Sequence, residues 1–175
     1  MQTAVSRTTE QIALLSCESV AAFKNLQTLD LTDTQVTTAG LKEIAALNGL
    51  QSLYLGGAQV TDPGLKELAA LMNLQSLNLA GTKVTDAGLK ELAGLKSLHE
   101  LNLVGTQAGD AGLKELAGLQ RLQALYLDHT NVSDQGLKEL AGLKSLKELS
   151  LDGAKVTDVG VADLQKVLPN CQISR

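Results

Sequence analysis

The sequence predicts an α/β solenoid: a right-handed, horseshoe-shaped arc with a parallel β-sheet on its concave face and α-helices on its convex face. Three observations support this prediction. The 175-residue chain repeats one phrase at a fixed period of 24 residues, the phrase recurs six times, and no insertion interrupts it. A unit of this length can bury its apolar side chains only against its neighbours, so such a period is typical of a solenoid. Each copy opens on a leucine, counted below as position 1: Leu26, Leu50, Leu74, Leu98, Leu122 and Leu146.

The third repeat shows how one unit is expected to fold. Leu77 and Leu79 alternate with small or polar residues, a period of two that predicts a short strand with one buried face. A turn at residues 81–82 follows, and Val84 then returns an apolar side chain to the core. Over residues 87–95 the leucines are spaced as on one face of a helix. Strand, turn and helix therefore form a parallel crossover, which is right-handed in nearly all known cases.

An aspartate precedes the predicted helix in five of the six repeats, at position 13. Thr85 and Asp86 suit a helix start, because a hydroxyl can accept a free backbone N–H there and a negative charge favours that end. Calcium binding is a weaker interpretation, since Thr38 replaces the aspartate in the first repeat. Ser133 stands at position 12, which Thr85 holds in the third repeat. It is therefore predicted to cap the helix and not to act as a nucleophile. The aspartates are Asp62, Asp86, Asp110, Asp134 and Asp158.

The residues outside the six repeats are expected to cap the two ends of the solenoid. Residues 1–25 form a helical half-repeat, because the pattern over residues 9–24 aligns with the helix core of the repeats. Residues 26–169 hold the six repeats, and residues 170–175 form a vestigial strand in which Ile173 aligns with the strand leucines. The aligned apolar residues of the N-terminal cap are Cys17, Val20, Ala21 and Phe23.

The phrase L-x-x-L-x-L-x-x-T-x-V-T-D-x-G-L-K-E-L-A resembles the leucine-rich repeat family over nearly the whole chain. Its T-D-x-G-L-K-E-L-A portion is similar to the 24-residue bacterial repeats with a true convex helix, related to the ribonuclease-inhibitor-like and GALA-type classes. The resemblance implies recognition of another protein through the concave surface, and it implies no particular partner.

Position 9 departs from the family pattern, in which an asparagine binds backbone groups of the loop after the strand. Threonine stands there in four repeats, and its hydroxyl can make part of the same hydrogen bonds. Alanine stands there in the other two, so those loops need other partners. The residues are Thr34, Thr82, Thr106 and Thr130, with Ala58 and Ala154.

A binding site is expected at exposed positions that differ between repeats, because the repeated positions build the scaffold. Positions 3, 5 and 7 face the concave side and vary. Both tyrosines of the chain, Tyr54 and Tyr126, stand at position 5. Tyrosine suits recognition because it offers a large contact area and a hydrogen bond, although it is also simply well tolerated in strands. The predicted partner-binding residues are Asp30, Tyr54, Asn78, Glu100, Asn102, Tyr126, Asp128, His129, Glu148 and Asp152.

The concave positions are acidic. They hold five carboxylates and no lysine or arginine, with Asp33 adding a further acid at a strand exit and only His129 available to offset them. An acidic face would attract a partner with a basic surface and speed its encounter. The alternative is that the acids merely keep an exposed sheet soluble.

Composition argues against several other functions. With a net charge of -4 and only three aromatic residues, the chain has neither the field nor the stacking platform that nucleic acid requires. No apolar stretch approaches the roughly 18 residues of a membrane span, and the N-terminal residues do not resemble a secretory leader. Repeats stacked at about 4.8 Å would hold Cys17 and Cys171 roughly 25 to 30 Å apart, so the two are not expected to pair. These features favour a cytoplasmic, monomeric protein.

A catalytic or metal site is not predicted. Asp128, His129 and Asp152 are expected to lie close together, but no second histidine joins them, since His99 stands at a different position one repeat earlier. The open groove of a solenoid also excludes water poorly. The sequence therefore predicts a non-enzymatic protein-interaction module without a cofactor. Two alternatives stay open: a structural spacer within a larger protein, or an adaptor for a ubiquitin-ligase-like or effector assembly.

Overall fold

The computed structural model describes residues 5–6 and 25–175. Within them, eight strands form a single parallel sheet in which the strands follow one another in sequence order. Each new strand thus adds to the same growing edge, which is the topology of a solenoid. The strands are β1 (Val5–Ser6), β2 (Thr28–Asp30), β3 (Ser52–Tyr54), β4 (Ser76–Asn78), β5 (Glu100–Asn102), β6 (Ala124–Tyr126), β7 (Glu148–Ser150) and β8 (Gln172–Ser174).

A helix follows each strand from β2 to β7 and covers the convex side of the core. These helices are α1 (Thr38–Ile44), α2 (Asp62–Leu68), α3 (Asp86–Leu89), α4 (Asp110–Leu116), α5 (Asp134–Glu139) and α6 (Asp158–Val167). In two repeats the α-helix is shorter than its neighbours and continues as a 3-10 helix, over Lys90–Gly94 after α3 and Leu140–Gly142 after α5. The sequence had predicted one helix over residues 87–95.

Strand pairing follows the 24-residue period without a slip. Leu101 in β5 lies opposite Leu77 on one side and Leu125 on the other. At the C-terminal edge Ile173 lies opposite Leu149, the alignment predicted for the last strand. Because every position of the repeat lies beside the same position of the next repeat, side chains of equal position form rows across the sheet.

The N-terminal edge carries a strand that the sequence had not predicted. Val5 in β1 lies opposite Leu29 in β2, and it precedes Leu29 by one full period. The helix predicted over residues 9–24, and Cys17 within it, lie outside the described residues. Cys171 is a free, buried cysteine, and burial followed by the charge of Glu148 raises the pKa of its thiol.

The threonines at position 9 bind the loop after each strand as predicted. The Thr82 hydroxyl donates to the Leu79 carbonyl at 2.6 Å, and the Thr82 backbone N–H donates to the same oxygen at 3.2 Å. Where alanine replaces threonine, only the backbone bond is made, at 3.1 Å for Ala58 and 3.0 Å for Ala154. The hydroxyl bond recurs at Thr34, Thr106 and Thr130.

The aspartates at position 13 connect one repeat to the next, a role beyond the helix start predicted for them. Asp110 accepts the backbone N–H of Ser133 on Oδ1 at 2.8 Å and the Ser133 hydroxyl on Oδ2 at 2.6 Å. The same pair of bonds joins Asp62 to Thr85 and Asp134 to Thr157. The Thr157 hydroxyl, and then its backbone N–H, lower the pKa of Asp134. Each carboxylate thereby fixes the residue that caps the next helix.

The same contact explains why position 15 is glycine. A Cβ at Gly136 would overlap Oδ1 of Asp110 and lie 3.2 Å from the Asp110 Cα. A Cβ at Gly112 would come within 2.6 Å of Oδ1 of Asp86. The recurring T-D-x-G phrase therefore encodes one inter-repeat contact, with the aspartate supplied by one repeat and the glycine by the next.

Candidate functional site

The concave face is built from positions 3, 5 and 7 of successive repeats. In β3 the Leu53 side chain is fully buried, whereas Ser52 and Tyr54 on either side of it are half-buried. In β6 the same alternation buries Leu125 and leaves Tyr126 half-buried. Both tyrosines therefore lie on the concave face, outside the leucine core. Strand register aligns the position 5 residues in one row: Asp30, Tyr54, Asn78, Asn102, Tyr126, Ser150 and Ser174.

Tyr126 lies diagonally opposite the two glutamates of the face, and Ala124 stands directly between them. Its strand pairs with β5 and β7, which begin at the exposed residues Glu100 and Glu148. Burial raises the pKa of the Tyr126 phenol, and the negative charges of Glu148 and Glu100 raise it further. A hydrogen bond from the phenol O–H to the Glu148 side chain raises the pKa as well, so the donor of Tyr126 is directed at Glu148.

Three of the predicted binding residues also have a structural role. Oδ1 of Asn78 accepts the backbone N–H of Ala80 at 2.9 Å, and Oδ1 of Asn102 accepts that of Val104 at 3.0 Å. Asp30 binds the Thr32 backbone N–H in the same way, at 2.9 Å. These short-range bonds close the turn after the strand, as asparagine and aspartate commonly do. They use the only oxygen of each asparagine and one of the two carboxylate oxygens of Asp30.

Asp128 is held rigidly on the acidic half of the face. Its Oδ1 accepts the Ser150 hydroxyl at 2.5 Å and the Asp152 backbone N–H at 2.8 Å, both from the next repeat. A carboxylate fixed in this way loses little conformational entropy when it binds a partner. Asp152 is exposed and has no such restraint.

The turn after each strand requires a left-handed residue at position 8. Glycine takes this conformation in four repeats, but Asp33 (φ 56°) and His129 (φ 55°) take it in the other two. Non-glycine residues in this region are strained by about 1 kcal/mol or more. His129 is one of the predicted binding residues and Asp33 is an acid at a strand exit, so the strain falls at and beside the candidate site. The left-handed glycines are Gly57, Gly81, Gly105 and Gly153.

His129→Gly is expected to raise the free energy of unfolding by about 0.5 to 1 kcal/mol, because glycine relieves the strain but adds entropy to the unfolded chain. Asp33→Gly should act in the same direction. The matched control is Gly105→Ala, which meets no heavy atom closer than 3.9 Å and should cost about 1 kcal/mol through backbone strain alone. Urea unfolding measures all three, and a destabilised His129→Gly would show that its side-chain contacts outweigh the strain.

The geometry does not assemble a catalytic or metal centre from Asp128, His129 and Asp152. His129 Nε2 lies 3.9 Å from the Asp152 carboxylate, beyond hydrogen-bond distance, and both side chains are largely exposed. Among the described residues no group of three or more histidine, cysteine, aspartate or glutamate side chains is placed to hold a metal ion. The Ser133 hydroxyl is engaged by Asp110 and by the backbone N–H of Gln135, in the capping role predicted for it.

A second surface, not predicted from the sequence, runs along the edge of the sheet where the strands begin. Here residues at position 2 and at the end of the preceding repeat line an open groove of about 690 Å³. The lining residues are polar or glycine: Asn25, Gln27, Gly49, Gln51, Asn73, Gln75, Ser97, His99 and Arg121. The signal in the sequence was the recurrence of glutamine at position 2 in the first three repeats.

An open parallel sheet in which a helix follows each strand from β2 to β7, built from units of 24 residues, defines an α/β repeat protein of the solenoid class. The chain belongs to the leucine-rich repeat family, since the family model described as "Leucine Rich repeat" matches it in six segments. The matched residues are 24–45, 48–69, 70–93, 94–117, 119–141 and 142–164. No curated protein sequence matches the chain.

Solved structures of two internalins from Listeria monocytogenes resemble the chain. Internalin C2 is 29% identical, with a TM-score of 0.72 over 90% of this chain and 74% of that one. A second internalin is 20% identical, with a TM-score of 0.52 over 92% of this chain, and this chain spans 57% of its length. At 20% identity, the comparison with the second internalin supports a shared fold and nothing more.

No helix in the described region is both long and apolar enough to cross a membrane.

Proposed function

We propose that this chain is a non-enzymatic protein-interaction module whose concave face binds a partner protein with a basic surface. The observation that supports this most is the setting of Tyr126, a half-buried aromatic residue on an open sheet face whose phenol lies near Glu148 and Glu100 and hydrogen-bonds Glu148. An amphipathic ring beside carboxylates suits a lysine or arginine side chain, which can contact the ring face and pair with the acids.

Two further observations support the same face. Asp128 is held in place by the next repeat, so part of the acidic surface is preorganised. His129 keeps a strained conformation where four other repeats have glycine, and strain of this kind is often retained for function. Asp30, Asn78 and Asn102 are likewise each held by one hydrogen bond within the chain.

The test is quantitative capture of partners from an extract of the source cells by the immobilised chain. Tyr126→Ala should weaken capture about tenfold or more, as the loss of a central interface aromatic does, and Glu148→Lys should abolish it. Glu115→Lys on α4 makes the same charge change on the convex side and should bind as wild type. Thermal unfolding confirms that each variant is folded.

Ionic strength gives a second readout of the same proposal. Association between an acidic face and a basic partner should slow as salt is raised, because salt screens charges beyond about 8 to 10 Å. Equal capture by Tyr126→Ala, Glu148→Lys and wild type would contradict the proposal and favour the structural-spacer alternative.

A further inference from the structure

We propose that the groove at the strand-start edge is a second binding site, which takes an extended, carboxylate-bearing polypeptide segment. This groove differs in chemistry from the concave face beside it. No acidic residue is among its described lining residues, and it ends at Arg121, although the chain as a whole has a net charge of -4. The two surfaces therefore favour ligands of opposite charge.

Free amide groups follow the floor of the groove from strand to strand. The backbone here is already satisfied: the Gln51 carbonyl, for example, accepts the N–H groups of Gln75 at 2.7 Å and Ser76 at 2.9 Å. Within the described residues the side-chain amides of Gln27, Gln51 and Gln75 have no hydrogen-bond partner. An amide both donates and accepts, so this row can pair with the N–H and C=O groups of an extended peptide.

His99 adds an oriented donor at one end of this row. Its Nδ1 is buried and has no hydrogen-bond partner, so a hydrogen on that atom would be a buried, unsatisfied donor. The imidazole is therefore favoured in the tautomer that carries its hydrogen on Nε2. The half-buried ring lines the groove and presents this N–H to a ligand.

Arg121 supplies the charge. It is exposed and lines the same groove, and no described carboxylate forms an ion pair with it. A guanidinium binds a carboxylate through two parallel hydrogen bonds, and the His99 N–H can serve the same ligand. An acidic glycan fits less well, because sugar rings pack their C–H faces mainly on tryptophan, tyrosine and phenylalanine, and none of these three is among the described lining residues.

The experiment is an NMR titration of the full chain with a short peptide of alternating glutamate and serine, both ends blocked. We expect shifts in the side-chain amides of Gln27, Gln51 and Gln75 and in the Arg121 Nε–H, with a Kd of about 0.1 to 1 mM. Arg121→Glu should weaken binding about tenfold or more. Lys90→Glu, the same charge change on the convex side, should leave the Kd unchanged.

Any of four results would overturn the proposal. Two concern the glutamate peptide: groove resonances that do not change at saturating peptide, or equal binding by Arg121→Glu and wild type. Two concern other ligands: equal shifts with a peptide in which lysine replaces glutamate, or shifts with oligogalacturonate in place of the peptide. The concave face is monitored in the same spectra through the Asn78 and Asn102 side-chain amides, so failure of one site is distinguishable from failure of the other.

Discussion

Gly136→Ala is expected to lower the free energy of unfolding by about 2 kcal/mol, although alanine favours a helix over glycine by about 1 kcal/mol. The new methyl group would overlap the Asp110 carboxylate, which holds both the N–H and the hydroxyl of Ser133. The carboxylate has to swing away and give up two hydrogen bonds to a charged acceptor, each worth about 1.5 to 3 kcal/mol. Urea unfolding of wild type and variant measures the loss.

The matched control is Gly142→Ala, because a Cβ at Gly142 meets no atom within 4 Å. Gly142→Ala should leave stability unchanged or slightly raised. A double-mutant cycle then tests the contact itself: with Asp110→Ala already present, Gly136→Ala should cost less than half of what it costs in the wild type. Additive effects of the two substitutions would show that the contact with Asp110 is not the reason why glycine is required at position 136.

The architecture was predictable because one pattern is repeated six times at one period. Within a repeat the leucines mark both the strand and the helix, and the constant period fixes the register of every strand pair. The final strand was predictable on the same ground, since Ile173 stands one period after Leu149. The strand at Val5–Ser6 obeys the same period but was not predicted, because two residues without an opening leucine give too weak a pattern.

Side-chain partners were less predictable than the register. The aspartate of T-D-x-G was assigned to the start of its own helix, whereas its hydrogen bonds go to the repeat that follows. Asn78 and Asn102 were assigned to recognition, and each uses its Oδ1 within the chain. A sequence pattern identifies which positions share a face, but the partner of a carboxylate or amide depends on atomic distances between repeats.

The candidate site was also predictable only in part. That Tyr54, Tyr126, Glu100 and Glu148 share the concave face followed from the period of two in each strand. The left-handed backbone of His129 was not predicted, although His129 stands at position 8, where four other repeats have glycine. The strand-start groove was not predicted, because binding was expected on the concave face and position 2 is not one of its positions.

Leu101→Ala is expected to lower the free energy of unfolding by about 3 to 4 kcal/mol, the largest decrease in stability among the substitutions considered. The reason is that the Leu101 side chain is fully buried and packed between two repeats. In a solenoid, stability is approximately the sum of the repeats and the interfaces between neighbours, so a cavity in the centre weakens two interfaces. Ile173→Ala should cost only about 1 kcal/mol, since Ile173 is half-buried in the terminal strand and has one neighbouring strand. Urea unfolding of both variants measures the difference. Equal costs would mean that the ends of the solenoid stabilise it as much as its centre does.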